Sequence, residues 1–289
     1  MIKGCIMPWI HMYGDIRGEY SLCCHTDNYN GPGEVKLGTN GARPLEVWNS
    51  DLYKKKRLQF LQGKYPVECK VCYDIEKSGQ DSHRNRVNQR FLKYAPLQRK
   101  TEKDGSVKNP PVWLDFRFGN LCNFKCRMCS GLASSAWVKD DIKLHNLDSN
   151  YQRPVDSPEF GYTNKSEQII ERLFEDPTPF MNLQYLSILG GEPYMEPANK
   201  IILQKFIDLG IAKNITLDWT TNGTIVDDEV HELAKQFGQT KWNISVEGTE
   251  GLYEYIRGGK NFTFAELNEN LKQFDFATRV IITTTVMAY

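Results

Sequence analysis

The sequence predicts an α/β fold, with a parallel sheet over residues 112–289 and a small cysteine-rich domain over residues 1–95. Two observations predict it: short apolar strands alternate with helical segments after residue 112, and the eight cysteines are clustered along the chain. Repeated strand–helix units are typical of parallel strands joined by right-handed crossovers. Residues 96–111 are polar and flanked by prolines, so they are predicted to link the two domains.

The first domain is predicted to be rich in turns and poor in apolar core. Glycine and asparagine recur between residues 14 and 41, where they separate short apolar pieces and indicate hairpins. Ser50–Gly63 is predicted to be a helix, because Ser50 or Asp51 can cap it, leucines recur at helical spacing, and Gly63 ends it. Ser82–Tyr94 is predicted to be a second, strongly basic helix. A segment with so little apolar core needs additional cross-links for stability, which its cysteines would supply.

Five strands are predicted in the second domain, with helices between them. The strands are predicted at Val112–Phe118, Gln184–Leu189, Asn214–Trp219, Lys241–Val246 and Arg279–Val286. The helices are predicted at Ser134–His145, Ser166–Phe174, Pro197–Leu209, Asp227–Phe237 and Phe264–Phe276, with residues 146–164 as an irregular insertion. An open sheet and a partial barrel both fit this order of elements.

The last predicted strand is followed by only three residues, 287–289, and by no helix that would cover it. An uncovered terminal strand offers an unpaired hydrogen-bonding edge, which proteins normally protect. We therefore expect either a truncated chain or a second chain that covers this edge.

The composition excludes several classes of protein. Lysine plus arginine total 36 and aspartate plus glutamate total 36, so the formal net charge is zero. Binding to nucleic acid through the overall charge of the chain is therefore not expected. No apolar run approaches the ~20 residues of a membrane span, and the first ten residues lack the pattern of a signal peptide. The chain is therefore predicted to be cytoplasmic, where clustered cysteines more often bind metal or carry redox chemistry than form disulfides.

The strongest chemical signal is the segment Cys122-Asn-Phe-Lys-Cys126-Arg-Met-Cys129, which follows the first strand of the second domain. Three thiolates in one short loop can bind one [4Fe–4S] cluster. Because each of its four irons needs a terminal ligand, one iron then stays open for a substrate or cofactor. The alternative is a structural zinc site, which needs four ligands and for which His145 is the nearest candidate fourth ligand.

Polar motifs follow the next three strands. They are Gly190-Gly191-Glu192-Pro193, Thr221-Asn222-Gly223 and Ser245-Val246-Glu247-Gly248. Ligands bind at the carboxyl ends of the strands in parallel α/β folds, so the motifs and the three cysteines are predicted to surround one site. The two glycines would let a ligand approach the backbone, and the Glu192 carboxylate could accept hydrogen bonds from an ammonium group. Taken alone, the first motif also fits an ordinary turn after a strand.

The segment CNFKCRMC followed by GGEP resembles the signature of the radical S-adenosylmethionine (SAM) superfamily, which is C-x3-C-x2-C and a GGE turn after the second strand. The resemblance covers about residues 112–289 and implies a partial (β/α)6-type barrel, here without a predicted sixth strand. It implies that Cys122, Cys126 and Cys129 hold a [4Fe–4S] cluster, and that SAM binds the fourth iron through its methionine amine and carboxylate.

The same resemblance implies further cofactor contacts. The residues involved are Gly190, Gly191, Glu192, Pro193, Thr221, Asn222, Ser245, Glu247 and Arg257. The GGEP turn would meet the methionine amine, Ser245 and Glu247 would lie near the ribose, and Thr221 and Asn222 near SAM or the substrate. Arg257 would pair with the methionine carboxylate, although an arginine at a helix end fits a surface position equally well.

The cysteines before residue 95 resemble the twitch domain, the shortened form of the SPASM domain, which holds an auxiliary [4Fe–4S] cluster. That module usually trails the barrel, but in N-terminal-twitch radical SAM proteins it precedes it, as here. Carried over by position, the ligands would be Cys5, Cys23, Cys69 and Cys72. The Gly18-x4-Cys23 spacing favours Cys23, with Cys24 as the alternative ligand. A zinc knuckle built from the same cysteines is the other interpretation.

The resemblance implies a radical SAM enzyme of the oxidoreductase or peptide-modifying kind. An electron from the cluster would cleave SAM to a 5′-deoxyadenosyl radical, which abstracts hydrogen from a C–H bond. The first substrate it implies is a peptide or protein, the alternatives are a small sugar or alcohol or a nucleotide, and the electron donor would be a flavodoxin or ferredoxin. A different class also stays open, namely a non-catalytic metal-stapled binding module or one half of a split enzyme. His11, His25 and His231 are interpreted as surface or core residues rather than ligands.

Overall fold

The computed structural model describes residues 2–16, 18–27, 38–39, 43–147, 166–258 and 262–286. The chain forms two compact units: Met1–Asp115 with Glu171–Leu183, and Phe116–Ile170 with Gln184–Tyr289.

The first unit contains short strands and helices, as its turn-rich sequence predicts. Its strands are β1 (His11–Gly14), β2 (Glu19–Ser21), β3 (Gly38–Thr39) and β4 (Trp113–Phe116), whose last residue begins the second unit. Its helices are α1 (Met7–Ile10), α2 (Cys24–Asp27), α3 (Pro44–Trp48), α4 (Asp51–Leu61), α5 (Lys70–Lys77), α6 (His83–Arg90) and α7 (Pro96–Arg99). The strands lie in the order β3-β2-β1-β4, and β1–β2 and β2–β3 are antiparallel.

Helix α4 begins where the sequence predicts, because the Ser50 hydroxyl accepts a hydrogen bond from the Tyr53 backbone N–H at 3.3 Å. The predicted basic helix divides into α6 and a 3₁₀ turn at Leu92–Tyr94. Residues 96–111 belong to the first unit and are hydrogen-bonded there: Trp9 Nε1 donates to Thr101 Oγ1 at 2.8 Å.

An arginine lies in the core of the first unit. Arg57 is fully buried, and its guanidinium donates to the carbonyls of Pro8 and Trp48, both at 2.8 Å. The same group stacks over the rings of Trp48 and Tyr53, with centroid distances of 4.6 and 4.7 Å. These contacts offset the cost of burying a charge, so a domain with little aliphatic core still packs densely.

The second unit is an α/β sheet layer. Its strands are β5 (Tyr185–Ile188), β6 (Thr216–Thr221), β7 (Gln239–Ser245) and β8 (Arg279–Thr283). Its helices are α8 (Val138–Leu147), α10 (Pro197–Asp208), α11 (Asp228–Ala234), α12 (Glu250–Tyr253) and α13 (Phe264–Leu271); α9 (Ser166–Phe174) has residues in both units. The four strands pair in parallel in chain order, which confirms the prediction of parallel strands. The irregular insertion was predicted at residues 146–164, and its part from residue 148 onward lies outside the described residues.

Stacked tryptophans form the centre of this sheet. Trp219 and Trp242 are register partners on β6 and β7, and their rings are parallel with centroids 5.4 Å apart. Trp242 Nε1 donates to the Tyr194 hydroxyl at 2.9 Å, and that hydroxyl lies 2.8 Å from His231 Nε2. His231 is therefore a hydrogen-bonded core residue, and the strand ends above it are rigidly placed.

Strand β8 exposes apolar side chains. Val280 and Ile282 are 43% and 53% exposed, whereas the inward residues of β7 are buried. β8 pairs with β7 and with no other strand in the described ranges. Among the described helices, none is long and apolar enough to cross a bilayer.

Candidate functional site

The strand ends of the second unit surround a cavity of about 200 Å³. Nine of the residues singled out in the sequence line it: Cys122, Cys126, Cys129, Gly190, Gly191, Thr221, Asn222, Ser245 and Arg257. Arg117, Phe124 and Met128 also line it. Three thiols thus meet the glycine pair after β5 and the polar side chains at the carboxyl ends of the parallel strands β6 and β7.

Residues 119–129, here called the cysteine loop, are fixed by hydrogen bonds from the segment that follows them. The Ser135 hydroxyl accepts from the Cys122 N–H at 3.2 Å, and the Ser134 hydroxyl donates to the Phe124 carbonyl at 2.6 Å. Trp137 Nε1 donates to the Cys126 carbonyl at 3.0 Å. The thiols are therefore held by backbone contacts that do not depend on a bound metal.

The two glycines after β5 let two loops approach each other. A Cβ on Gly191 would lie 2.2 Å from the Leu121 oxygen, and one on Gly190 would lie 2.6 Å from the Gly119 oxygen. Gly190 also has a φ of +145°, which L side chains rarely adopt. The Glu192 N–H donates to the Leu121 carbonyl at 2.6 Å. The glycines are thus required by the cysteine loop itself, in addition to any ligand that approaches the backbone.

Glu192 is buried and faces the protein. Its carboxylate accepts hydrogen bonds from the Thr221 hydroxyl and the Asn222 N–H, both at 2.7 Å. It does not line the cavity, and neither does Pro193, which begins the 3₁₀ turn Pro193–Met195. Burial raises the pKa of Glu192 to about 7, although hydrogen bonds from Asn222 and Thr221 act in the opposite direction. Glu192 therefore positions the ends of β5 and β6 against each other.

The buried Glu192 carboxyl should make the stability of the metal-free protein fall between about pH 4.5 and about pH 7. Its pKa rises from 4.5 to about 7 on folding, so in this window the folded state keeps a proton that the unfolded state has lost. The free energy of unfolding should drop by up to about 3 kcal/mol, at about 1.4 kcal/mol per pH unit. Urea unfolding at several pH values measures this. Glu192→Gln should flatten the decline, and an equal decline in that variant would contradict the assignment.

Arg257 and Glu247 pair with each other. Arg257 Nη2 donates to Glu247 Oε1 at 2.8 Å, and Nε donates to the second oxygen. Arg257 Nη1 lies 3.8 Å from Cys126 Sγ, at the cavity wall. The charge of Arg257 acts to lower the pKa of the Cys126 thiol, although burial dominates and raises that pKa to about 12. Glu247 thus holds Arg257 in place beside the thiol.

Sequence reasoning missed Asn123, which lies inside the cysteine motif. Asn222 Nδ2 donates to Asn123 Oδ1 at 2.8 Å, and Asn123 Nδ2 donates to Thr224 Oγ1 at 2.7 Å. These bonds join the cysteine loop to the end of β6. The sequence does not indicate this role of Asn123. The residue fills an unspecified position of the cysteine motif, and its partner Asn222 lies about a hundred residues away in the sequence.

A second, small cavity of about 30 Å³ lies in the first unit. Its lining includes the four cysteines Cys5, Cys23, Cys69 and Cys72, together with His25 and His83. Cys24 is absent from this lining. All eight cysteines lie within the described ranges, and none of them forms a disulfide there. The structure thus brings together the four cysteines that the sequence assigned to an auxiliary cluster.

The chemistry of both cysteine sets fits iron–sulfur clusters. Four thiols in one cavity match the four irons of a [4Fe–4S] cluster, and three thiols leave one position open. Burial raises the pKa of Cys5 to about 12 and those of Cys23 and Cys69 well above their ordinary value. The metal-free protein therefore holds neutral thiols, and iron must displace their protons. The side chain of His145, the candidate fourth zinc ligand, lies outside the described residues.

Two family models match the chain. The model of the Radical SAM superfamily matches residues 116–288, and the model of SPASM, an iron–sulfur cluster-binding domain, matches residues 5–73. No curated protein gives a significant match.

Several solved structures are similar to the chain. Streptococcus suis SuiB bound to precursor peptide SuiA is 16% identical over 98% of this chain and 57% of its own, with a TM-score of 0.41. A histidine-tagged anSMEcpe with bound AdoMet is 18% identical over 58% of this chain and 40% of its own, with a TM-score of 0.37. This chain therefore spans 57% of the length of the SuiB chain and 40% of the length of the anSMEcpe chain. Because one family model covers more than half of the residues, the chain belongs to the radical SAM superfamily, and its cofactors are iron–sulfur clusters and SAM.

Proposed function

We propose that this chain cleaves SAM reductively and uses the resulting radical to abstract hydrogen from a peptide or protein. The observation that carries the proposal is the cavity of the second unit, in which three thiols share a wall with a glycine pair and with Arg257. Three thiols leave one iron of a cubane without a protein ligand, and an amino acid group of SAM is the natural occupant. When bound, the reduced cluster would supply an electron, and SAM would supply the 5′-deoxyadenosyl radical.

The chain's own residues bind and orient the cofactors. Cys122, Cys126 and Cys129 hold the cluster, and the backbone at Gly190 and Gly191 forms one wall. Arg257, fixed by Glu247, offers a positive charge beside Cys126 to the carboxylate of the methionine moiety. A site closed by bound SAM and substrate would keep water and stray reductants away from a reactive intermediate.

Thr221, Asn222 and Ser245 present polar groups at the ends of β6 and β7. We assign Ser245 to the ribose, and Thr221 and Asn222 to SAM or the substrate. Glu192 and Glu247 position other residues of the site, because the Glu192 carboxylate is hydrogen-bonded to Asn222 and the Glu247 carboxylate to Arg257.

A peptide substrate is supported by the SPASM match, since SPASM and twitch enzymes commonly modify peptides. In this proposal Cys5, Cys23, Cys69 and Cys72 hold an auxiliary [4Fe–4S] cluster that accepts an electron from the product radical or binds the substrate. We infer a flavodoxin or ferredoxin as the electron donor, and the reducing cytoplasm as the compartment that keeps these thiols unoxidised.

Anaerobic reconstitution with iron and sulfide tests the proposal. The protein should bind about eight irons per chain as two clusters, and dithionite with SAM should release 5′-deoxyadenosine. An iron-loaded protein that releases none would support a non-catalytic binding module and overturn the enzyme assignment. A protein that takes up zinc at both cysteine sets in place of iron would overturn the cofactor assignment.

Replacing Cys69 with alanine should remove the auxiliary cluster and spare the other one. About four irons per chain should be lost, and release of 5′-deoxyadenosine without substrate should stay within about threefold of the wild type. The two cysteine sets lie in separate units, so the cavity of the second unit keeps its own ligands. Iron analysis and the SAM cleavage assay measure both effects. Loss of all iron would show that the two sets do not bind independently.

A further inference from the structure

Cys24, the residue that the auxiliary cavity leaves out, lies beside two histidines. One ligand atom from each of Cys24, His25 and His83 lies within 4.8 Å of the other two. The rings of His25 and His83 are stacked, with centroids 4.7 Å apart and planes 29° from parallel. A thiol and two imidazoles at these distances can reach one metal ion with small adjustments of the side chains.

Two short elements place these ligands. Cys24 and His25 open helix α2, where the Thr26 hydroxyl donates to the Cys23 carbonyl at 2.7 Å and fixes the turn. His83 is the first residue of α6, and the Ser82 hydroxyl caps that helix by accepting from the Asn85 N–H at 3.1 Å. The ligands are therefore held by the local backbone of two helix starts, and side-chain rotation is the main freedom left to them.

His83 has a ring nitrogen without a partner. Its Nε2 is buried and has no hydrogen-bond partner among the described residues. A buried polar atom that lacks a partner costs free energy, and a bound ligand would remove that cost. An unpartnered nitrogen on a ring that lies close to a thiol and a second imidazole is compatible with metal binding.

We propose that Cys24, His25 and His83 bind one zinc ion next to the auxiliary cluster. One thiolate and two imidazole nitrogens suit zinc, which accepts both donor types and takes four ligands in a tetrahedron. Water would complete the set as the fourth ligand. His25 and His83 also line the cavity of the four thiols, so the two metal sites would share a border. Iron prefers the four thiols, whereas a set dominated by nitrogen favours metals later in the divalent series.

The adjacent residues Cys23 and Cys24 would then bind two different metal centres. Cys23 lines the cavity with the other three cysteines, so a cubane there already has its four ligands and needs no fifth thiol. Cys24, the next residue, belongs to the histidine group. This site is independent of SAM cleavage, because it uses none of the residues of the second unit.

Zinc and iron analysis of the reconstituted full chain tests this site. After clusters are built and loose metal is removed, zinc added at stoichiometric amount should be retained at about one per chain. X-ray absorption at the zinc edge should show about one sulfur at ~2.3 Å and two nitrogens at ~2.0–2.1 Å. A zinc edge with three or four sulfurs would overturn the proposal, since the ion would then occupy a cysteine cavity.

Two variants separate the site from the cluster. Cys24→Ser and His83→Gln should each weaken zinc binding by at least about tenfold while iron content and 5′-deoxyadenosine release remain unchanged. Unchanged iron also shows that the variant is folded. Cys72→Ser is the matched control, which should lose the auxiliary iron and retain zinc. If Cys24→Ser loses iron and keeps zinc, Cys24 is a cluster ligand and the proposal is wrong.

Discussion

Replacing Cys126 with alanine should reduce SAM cleavage to background. Cys126 is the central cysteine of its motif, it is buried, and it lines the cavity with Cys122 and Cys129. Two remaining thiols cannot hold a cubane with one open iron, so about four irons per chain should be lost. The measurements are iron content after anaerobic reconstitution and 5′-deoxyadenosine formed with dithionite.

The matched control for Cys126→Ala is Cys24→Ala, which also removes one thiol. Cys24 lines neither of the two cysteine cavities, so its loss should leave cleavage and iron content unchanged. If the Cys126 variant still released 5′-deoxyadenosine at a comparable rate, the three-cysteine site would not be where SAM reacts.

Replacing Gly191 with alanine should disrupt the same site without touching a ligand. The added methyl would lie 2.2 Å from the Leu121 oxygen and 2.6 Å from the Asn120 carbonyl carbon, both of which are backbone atoms. Neither can rotate away, so the cysteine loop must shift. Overpacking of this kind costs about 1–3 kcal/mol of stability. A shift of ~1 Å at a catalytic centre can cost about a hundredfold in rate. Urea unfolding and the SAM cleavage assay measure the two effects.

Gly251→Ala is the control for the glycine substitution. Gly251 lies in helix α12 of the same unit, and a Cβ there would meet no atom within 4 Å. Alanine should stabilise this helix by up to about 1 kcal/mol and leave SAM cleavage unchanged. If Gly191→Ala behaved like Gly251→Ala, the close approach of the two loops would not matter to the site.

The cysteine spacings and the strand–helix alternation predicted much of this protein. Helix α9 was predicted with its observed bounds, and the β4 to β8 strands all lie within a few residues of their predicted positions. These features are local, because hydrophobic periodicity and capping residues act over one element. The motifs after β5, β6 and β7 were predicted to meet, since parallel strands present their carboxyl ends at one edge.

The roles of individual residues were harder to predict. The resemblance placed Glu192 near the methionine amine, and the structure adds that its carboxylate accepts hydrogen bonds from Thr221 and Asn222. The resemblance assigned Arg257 and Glu247 to different parts of SAM, and the structure adds that the two side chains pair with each other. A motif shows which residue types are present, but it does not show which of their atoms are already satisfied by neighbours.

The sequence by itself determined the family of this protein, the order of its elements and the two sets of cysteines, because each is written in local spacing. The spacing only favoured Cys23 over Cys24, whereas the tertiary structure places Cys23 in the auxiliary cavity and brings Cys24 and His25 beside His83. It also showed that the glycines after β5 serve the cysteine loop. The physical reason is that contacts between residues far apart in the chain depend on how elements pack, and packing is set by shape and burial across the whole unit.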